Sequence, residues 1–265
     1  AAISGERPQW QWTFQIGGAG ARPLVDGASE PAPGDGETVD FSGAWYTNFA
    51  EVALQQDGAT VSGHYTRYGQ VENLRLTGAV TTNRLEGYFG EDPADRFFFV
   101  LGLDGNTLTG SWFSHSDDAH DWCGTRVGAG ALPAGCGFSG NWLLSGGPGI
   151  DGQPDGPFMA QLEQIGSDVS GTVVAADPSA TQPGAALVHG TIIANLGTVG
   201  AAPFYTASGL FTINGNSYSL RWTLLDFNSI QFQGCWATDT GVYPWCGWRE
   251  DSVATIQCPT APSCP

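Results

Sequence analysis

From about residue 40 onward, apolar and polar residues alternate along most of this chain, the period of half-buried strands rather than helices. One motif keeps returning: an apolar residue, any residue, Gly, any residue, a second apolar residue. It stands at Phe41/Gly43/Trp45, Val61/Gly63/Tyr65, Leu76/Gly78/Val80, Leu85/Gly87/Phe89 and Leu108/Gly110/Trp112. It returns at Phe138/Gly140/Trp142, Val169/Gly171/Val173, Val188/Gly190/Ile192, Ala207/Gly209/Phe211 and Phe232/Gly234/Trp236. Alternation places the three residues of each triplet on one face. An interior Gly weakens a strand unless the strand bends sharply or makes room for a neighbour's large side chain. Both needs arise inside a small, strongly coiled barrel packed with Trp and Phe. Turn signals such as Asp57-Gly58 and Asp104-Gly-Asn106 fall at hairpin spacing. No stretch reads as a long amphipathic helix. The pattern predicts an all-β protein of two tandem, small, antiparallel up-and-down β-barrels, about eight strands each, with an N-terminal strand.

Duplication supports the two barrels. Phe41-Ser-Gly-Ala-Trp45 recurs as Phe138-Ser-Gly-Asn-Trp142, 97 residues on. Val52-Ala-Leu-Gln-Gln-Asp-Gly58 matches Ala160-Gln-Leu-Glu-Gln-Ile-Gly166, and Val61-Ser-Gly63 matches Val169-Ser-Gly171. Leu108-Thr-Gly-Ser-Trp112 matches Phe232-Gln-Gly-Cys-Trp236, and Trp122-Cys-Gly-Thr-Arg126 matches Trp245-Cys-Gly-Trp-Arg249. Blocks matched in the same order signal an internal repeat. The second copy is longer, mainly in residues 145–155 and 175–186, which read as loops. The expected organisation is an N-terminal strand and acidic Gly/Pro linker (1–37), a first barrel (38–126), a linker (127–137), a second barrel (138–249) and a disulfide-stapled tail (250–265). In the first segment Trp10, Trp12, Phe14 and Ile16 share one face of an alternating run. Such a strand either packs on its own barrels or adds to an edge on a neighbouring subunit.

The charge balance removes several partner classes. The chain has 26 acidic residues against 9 basic ones, all arginine, for a net charge of −17. That charge repels phosphate backbones and anionic membrane surfaces, so nucleic acid is not an expected partner. The uncharged stretches 127–150 and 178–220 are broken by Gly, Pro and polar residues and do not read as membrane spans. Six cysteines, Cys123, Cys136, Cys235, Cys246, Cys258 and Cys264, without a Cys-x-x-Cys pair favour disulfides over a zinc site. Cys123–Cys136 is the expected first pair. The other four join either as Cys235–Cys246 with Cys258–Cys264 or as Cys246–Cys258 with Cys235–Cys264. Disulfides, together with a start at Ala-Ala-Ile that resembles a chain after signal-peptide removal, give a secreted, extracellular or periplasmic expectation.

Gly-x-Trp in the first strand of each copy, an up-and-down meander and a late Arg together resemble the calycin group, the lipocalins, avidins and their relatives. The resemblance covers roughly 38–126 and 138–249. It implies that the first-strand Trp plugs one barrel end and that a basic side chain from the last strand packs across it. Carried over, Trp45 pairs with Arg126 and Trp142 with Arg249.

Few residues suggest chemistry. His115-Ser-Asp-Asp-Ala-His-Asp121 brings His115, Asp117, Asp118, His120 and Asp121 into one polar loop, the donor types of a transition-metal or Ca²⁺ site. A solvated acidic loop is the better explanation of it, and the second copy lacks the feature. Asp151-Gly-Gln-Pro-Asp155-Gly lacks the spacing of an EF-hand loop. No Gly-x-Ser-x-Gly elbow supports a serine hydrolase. Trp122, Tyr243, Trp245 and Trp248 fall near loops, where aromatic faces can stack on sugars or small ligands. No cofactor is implied. Two functional classes follow: a non-enzymatic secreted structural or protein-interaction protein, as a subunit of an extracellular assembly, or a small-ligand or glycan-binding module of calycin type.

Overall fold

In the computed structural model, the described residues are 39–92, 94–115, 118–148, 154–155, 158–175, 189–197, 206–225 and 230–250. Among them there are strands and turns and no α-helix. The alternating N-terminal stretch, the C-terminal tail and most of the inserted loops of the second copy (149–153, 176–188) lie outside the described residues.

The first barrel comprises β1 (Gly43–Thr47), β2 (Ala50–Asp57), β3 (Thr60–Arg67), β4 (Leu74–Thr81), β5 (Arg84–Phe89), β6 (Arg96–Leu101), β7 (Thr107–Phe113), β8 (His120–Asp121) and β9 (Gly124–Arg126). Each of β1 to β7 pairs antiparallel with the next, and β9 closes the ring between β7 and β1. The eighth stave is interrupted: β8 pairs with the far half of β7, and Trp122 and Cys123 separate it from β9. The second barrel comprises β10 (Gly140–Ser145), β13 (Phe158–Ile165), β14 (Asp168–Ala175), β15 (His189–Leu196), β16 (Thr206–Ile213), β17 (Asn216–Leu225), β18 (Gln231–Thr238) and β19 (Gly241–Arg249), closed by β19 against β10. Two short strands, β11 (Gly147–Pro148) and β12 (Pro154–Asp155), pair within the longer β10–β13 connection. The two tandem, closed, eight-stranded antiparallel barrels expected from the repeats are present.

The triplet glycines permit closure at this radius. A Cβ on Gly63 would sit 2.1 Å from the Ala53 carbonyl oxygen, and on its repeat mate Gly171, 2.1 Å from that of Gln161. On Gly110 and its mate Gly234 the distances are 1.9 Å to Phe98 O and 1.9 Å to Arg221 O. The neighbouring backbone therefore crosses where a side chain would begin. At Gly190 the space is taken instead by the Phe211 ring, 2.2 Å from the would-be Cβ. Apolar ends of the triplets turn inward: Trp45, Tyr65, Leu76, Leu85 and Leu108 in the first barrel, and Trp142, Val173, Phe211, Phe232 and Trp236 in the second, are buried. Aromatic rings occupy each core, with many centroid separations near 5 Å, such as Phe99–Trp122 at 4.9 Å and Trp222–Trp245 at 4.8 Å.

Gly234→Ala is expected to destabilise the chain by about 1–3 kcal/mol or more, since rigid backbone must shift to admit one methyl. Urea unfolding of this variant beside Ala79→Gly, at an exposed position of β4, checks it: the second change should cost about 1 kcal/mol or less.

Candidate functional site

Each barrel has a plugged end and a distal end, and the plug is built the same way twice. Gly43 and Gly140 have φ of 123° and 122°, backbone that L side chains rarely adopt. A Cβ there would lie 2.9 Å from Arg126 Nη1 and 2.6 Å from Arg249 Nη1. The glycine of Gly-x-Trp thus leaves room for a guanidinium. Arg126 is the Cα partner of Trp45 and lies 4.2 Å from its ring centroid; Arg249 is the partner of Trp142, at 4.0 Å. Arg126 donates to the carbonyls of Ser42, Asp40 (2.6 Å) and Gly105 (2.7 Å). Arg249, buried, donates to the carbonyls of Ser139 and Gly137 (2.7 Å). The indoles donate back to the chain, Trp45 Nε1 to Phe41 O at 3.0 Å and Trp142 Nε1 to Phe138 O at 2.8 Å. Asp40 sits beside the first plug. Hydrogen bonds from Ser42, and then the Arg126 charge, hold its carboxyl below the usual range.

The plugged end of the second barrel is not free, because the distal end of the first packs on it. Gln164, fully buried, joins them. Its side-chain oxygen accepts from Phe138 N (3.0 Å), and its Nε2 donates to Gly166 O (3.0 Å), Asn48 O (3.2 Å) and Thr47 O (3.4 Å). The matched Gln56 makes the corresponding bonds, accepting from Phe41 N and donating to Gly58 O and Val39 O. The same amide therefore closes the first barrel on its own chain and the second barrel on its neighbour. Tyr68, in the β3–β4 turn, belongs to the second barrel's core cluster. Its hydroxyl donates to Thr47 O at 2.9 Å, and burial raises its pKa far above the ordinary phenol value. Gly69 and Gly197 meet backbone to backbone: a Cβ on the first would fall 1.7 Å from the second's oxygen. Residues 127–137 are part of this junction rather than a tether. Leu132 is buried and donates its N–H to Gln164 O (2.8 Å), and Cys136 is buried in a disulfide with Cys123, with Cα atoms 5.8 Å apart.

The remaining expected site residues disperse. Trp122 and Trp245, expected near loops as exposed ligand contacts, are instead core side chains, 1 % and 0 % exposed. Closure of the eighth stave turns both rings inward among Phe and Tyr edges. Tyr243 is partly buried and stacks on Trp236 at 4.5 Å, and Trp248 is partly buried on β19. The indole N–H groups of Trp122, Trp222 and Trp245 are buried without a hydrogen-bond partner; rings approach edge-to-face at 4.8–5.4 Å around them. His115 pairs with Asp92 at 3.1 Å, and His120 lies on the Trp112 ring at 4.3 Å. Burial raises the Asp121 pKa, opposed by His120. Among the described residues no three His, Cys, Asp or Glu side chains gather as metal ligands; Asp118 is exposed, and Asp117 lies outside the described residues. Cys235 and Cys246 are disulfide-bonded; Cys258, Cys264 and the strand bearing Trp10, Trp12, Phe14 and Ile16 lie outside the described residues.

Two features escaped sequence reading, one of them buried. Gln56 and Gln164 stand at matched positions, a signal present in the repeat alignment. Phe98 and Phe113 face outward on β6 and β7, 6.4 Å apart, with Arg84 3.9 Å over Phe98 and Arg96 5.4 Å over Phe113. The broken alternation of Phe97-Phe-Phe99 marks them. No protein-family model matches the chain, and no curated protein matches it in sequence. No helix among the described residues is long and apolar enough to cross a membrane.

Arg249→Met is expected to cost about 2–4 kcal/mol, since it removes a desolvated cation–π contact and leaves buried carbonyls unpaired. Arg126→Met, at the more exposed plug, is expected to cost about half as much. Equilibrium denaturation of the two variants compares them directly.

Proposed function

We propose that this is a secreted, non-enzymatic structural or protein-interaction protein, a subunit of an extracellular assembly. The observation that carries this reading is the filling of both barrel interiors by their own side chains. Trp45, Trp122, Trp142, Trp222, Trp236 and Trp245 are among the largest fully buried residues, so recognition falls to the ends and outer faces. An intramolecular Cys123–Cys136 disulfide is compatible with an oxidising compartment. The alternating face of Trp10, Trp12, Phe14 and Ile16 is the part of the chain we assign to contact with a neighbouring copy.

A second reading, a calycin-type module for a small ligand or glycan, draws on the doubled Trp–Arg stack and on the unpartnered buried indole N–H groups of Trp122, Trp222 and Trp245. Light scattering after size exclusion and a tryptophan-fluorescence titration against glycans and hydrophobic ligands separate the two. The assembly reading expects species larger than one chain, reduced by deletion of residues 1–20, and a flat fluorescence response. A strict monomer with a saturable fluorescence change would reject it in favour of the ligand module.

A further inference from the structure

Alternate side chains of β18 and β19 point into the second barrel: Phe232 and Trp236 from one strand, Trp245 and Arg249 from the other, all buried. Cys235 and Cys246 fall between them in the alternation and therefore face the outer wall. Other outward side chains of this barrel are open to solvent, Ile193 at 68 %, Leu210 at 50 % and Val242 at 53 % exposure, yet Cys235 and Cys246 stand at 6 % and 1 %. Something lies over them. Both are disulfide-bonded, and the register keeps them from bonding to each other. Cys235 is the Cα partner of Pro244 and Cys246 that of Gln233, so the two occupy a diagonal of the sheet. Diagonal neighbours stand roughly 7–8 Å apart, whereas a disulfide holds its Cβ atoms about 4 Å apart. Cys123 and Cys136 hold one another. Of the six cysteines, Cys258 and Cys264 remain as the partners.

We propose that residues 250–265 are a strap over the outer wall of the second barrel at β18 and β19, pinned by Cys246–Cys258 and Cys235–Cys264. The repeat selects this pairing. Cys246 is the mate of Cys123, and the chain leaves both barrels in the same way: Val127 N donates to Ala44 O at 2.9 Å and Glu250 N to Asn141 O at 3.3 Å, the carbonyls of matched residues. From that exit residues 127–136 return to Cys123 through Cys136. The corresponding return from Glu250 brings Cys258 to Cys246. Cys264 then reaches Cys235 on the adjacent strand, about 5 Å across the sheet, a step that residues 259–263 span easily. The first copy has Ser111 where the second has Cys235, so the second staple belongs to the second copy alone. In the first copy the segment past Cys136 enters the next barrel; in the second it is tied to the wall it has just left. That wall, with the partly buried Trp248 two residues from Cys246, is taken by the chain itself and closed to partners, whichever reading of function holds.

Peptide mapping of the full chain without reductant tests the strap, and the absence of lysine makes it simple. With free thiols blocked and the chain unfolded, trypsin cuts after Arg221 and Arg249. This parts residues 222–249, which hold Cys235 and Cys246, from residues 250–265, which hold Cys258 and Cys264. The expected result is an intact mass of one chain and a digest in which the two peptides travel as one species that reduction splits. Chymotrypsin after Trp236 and Trp245 then separates Cys235 from Cys246, and tandem fragmentation ahead of Pro262 separates Cys258 from Cys264. The links expected are Cys246–Cys258 and Cys235–Cys264. Two unlinked peptides, each closed by its own disulfide, overturn the strap, and so does a disulfide-linked multimer of chains. The crossed links, Cys235–Cys258 and Cys246–Cys264, overturn the pairing taken from the repeat.

Discussion

The side-chain amide of Gln164 has every water contact replaced by protein, and the arrangement of the molecule turns on it. A buried amide left unpaired costs far more than a paired one gains. Gln164 meets its needs only by borrowing the Thr47 and Asn48 carbonyls of the neighbouring barrel, as well as Phe138 N and Gly166 O of its own. Separating the two barrels would break these bonds and open the plug of the second to water, and a change that removes the amide while the junction stays closed leaves buried carbonyls unpaired. Tyr68 reinforces this from the other side, with its ring in one core and its hydroxyl on the other barrel's backbone.

Seen from that junction, the duplication has diverged in a purposeful direction. Trp–Arg stacking, the left-handed glycine beside it and the carbonyl-excluding glycines at 63/171 and 110/234 are unchanged between copies, since each is needed to close a narrow barrel over aromatic rings. What differs is what lies over the plug. Gln56 turns its amide to Val39 of its own chain, and Gln164 turns its amide to the other barrel. The same residue thus serves as a local clasp in one copy and as an inter-barrel clasp in the other.

Much of the barrel architecture was legible because strand period and repeat spacing are local properties. The Asp-Gly turns pointed to the hairpins, whereas the stacked Trp–Arg pairs were implied by the resemblance of Gly-x-Trp and the late Arg to the calycin group. Trp122 and Trp245 were misplaced because alternation fails around them. Trp245, Cys246 and Gly247 are buried in succession, and in the first copy the stave breaks at Trp122, so the period-two rule loses its frame. The junction was illegible for a different reason. Residues 127–137 have the Gly and Pro content of a linker, and only tertiary placement makes Leu132 and Cys136 interior residues. The metal-like loop shows the converse limit: proximity in sequence put His115 and His120 together, whereas pairing sent one to Asp92 and the other onto Trp112.

Both barrels form one body through a shared polar clasp. Differential scanning calorimetry of the intact, disulfide-bonded chain, with and without Gln164→Ala, measures it. A single transition whose calorimetric and van't Hoff enthalpies agree, and which Gln164→Ala lowers as a whole or splits in two, is the predicted result. Two separate transitions in the wild type, neither displaced by Gln164→Ala, would contradict it.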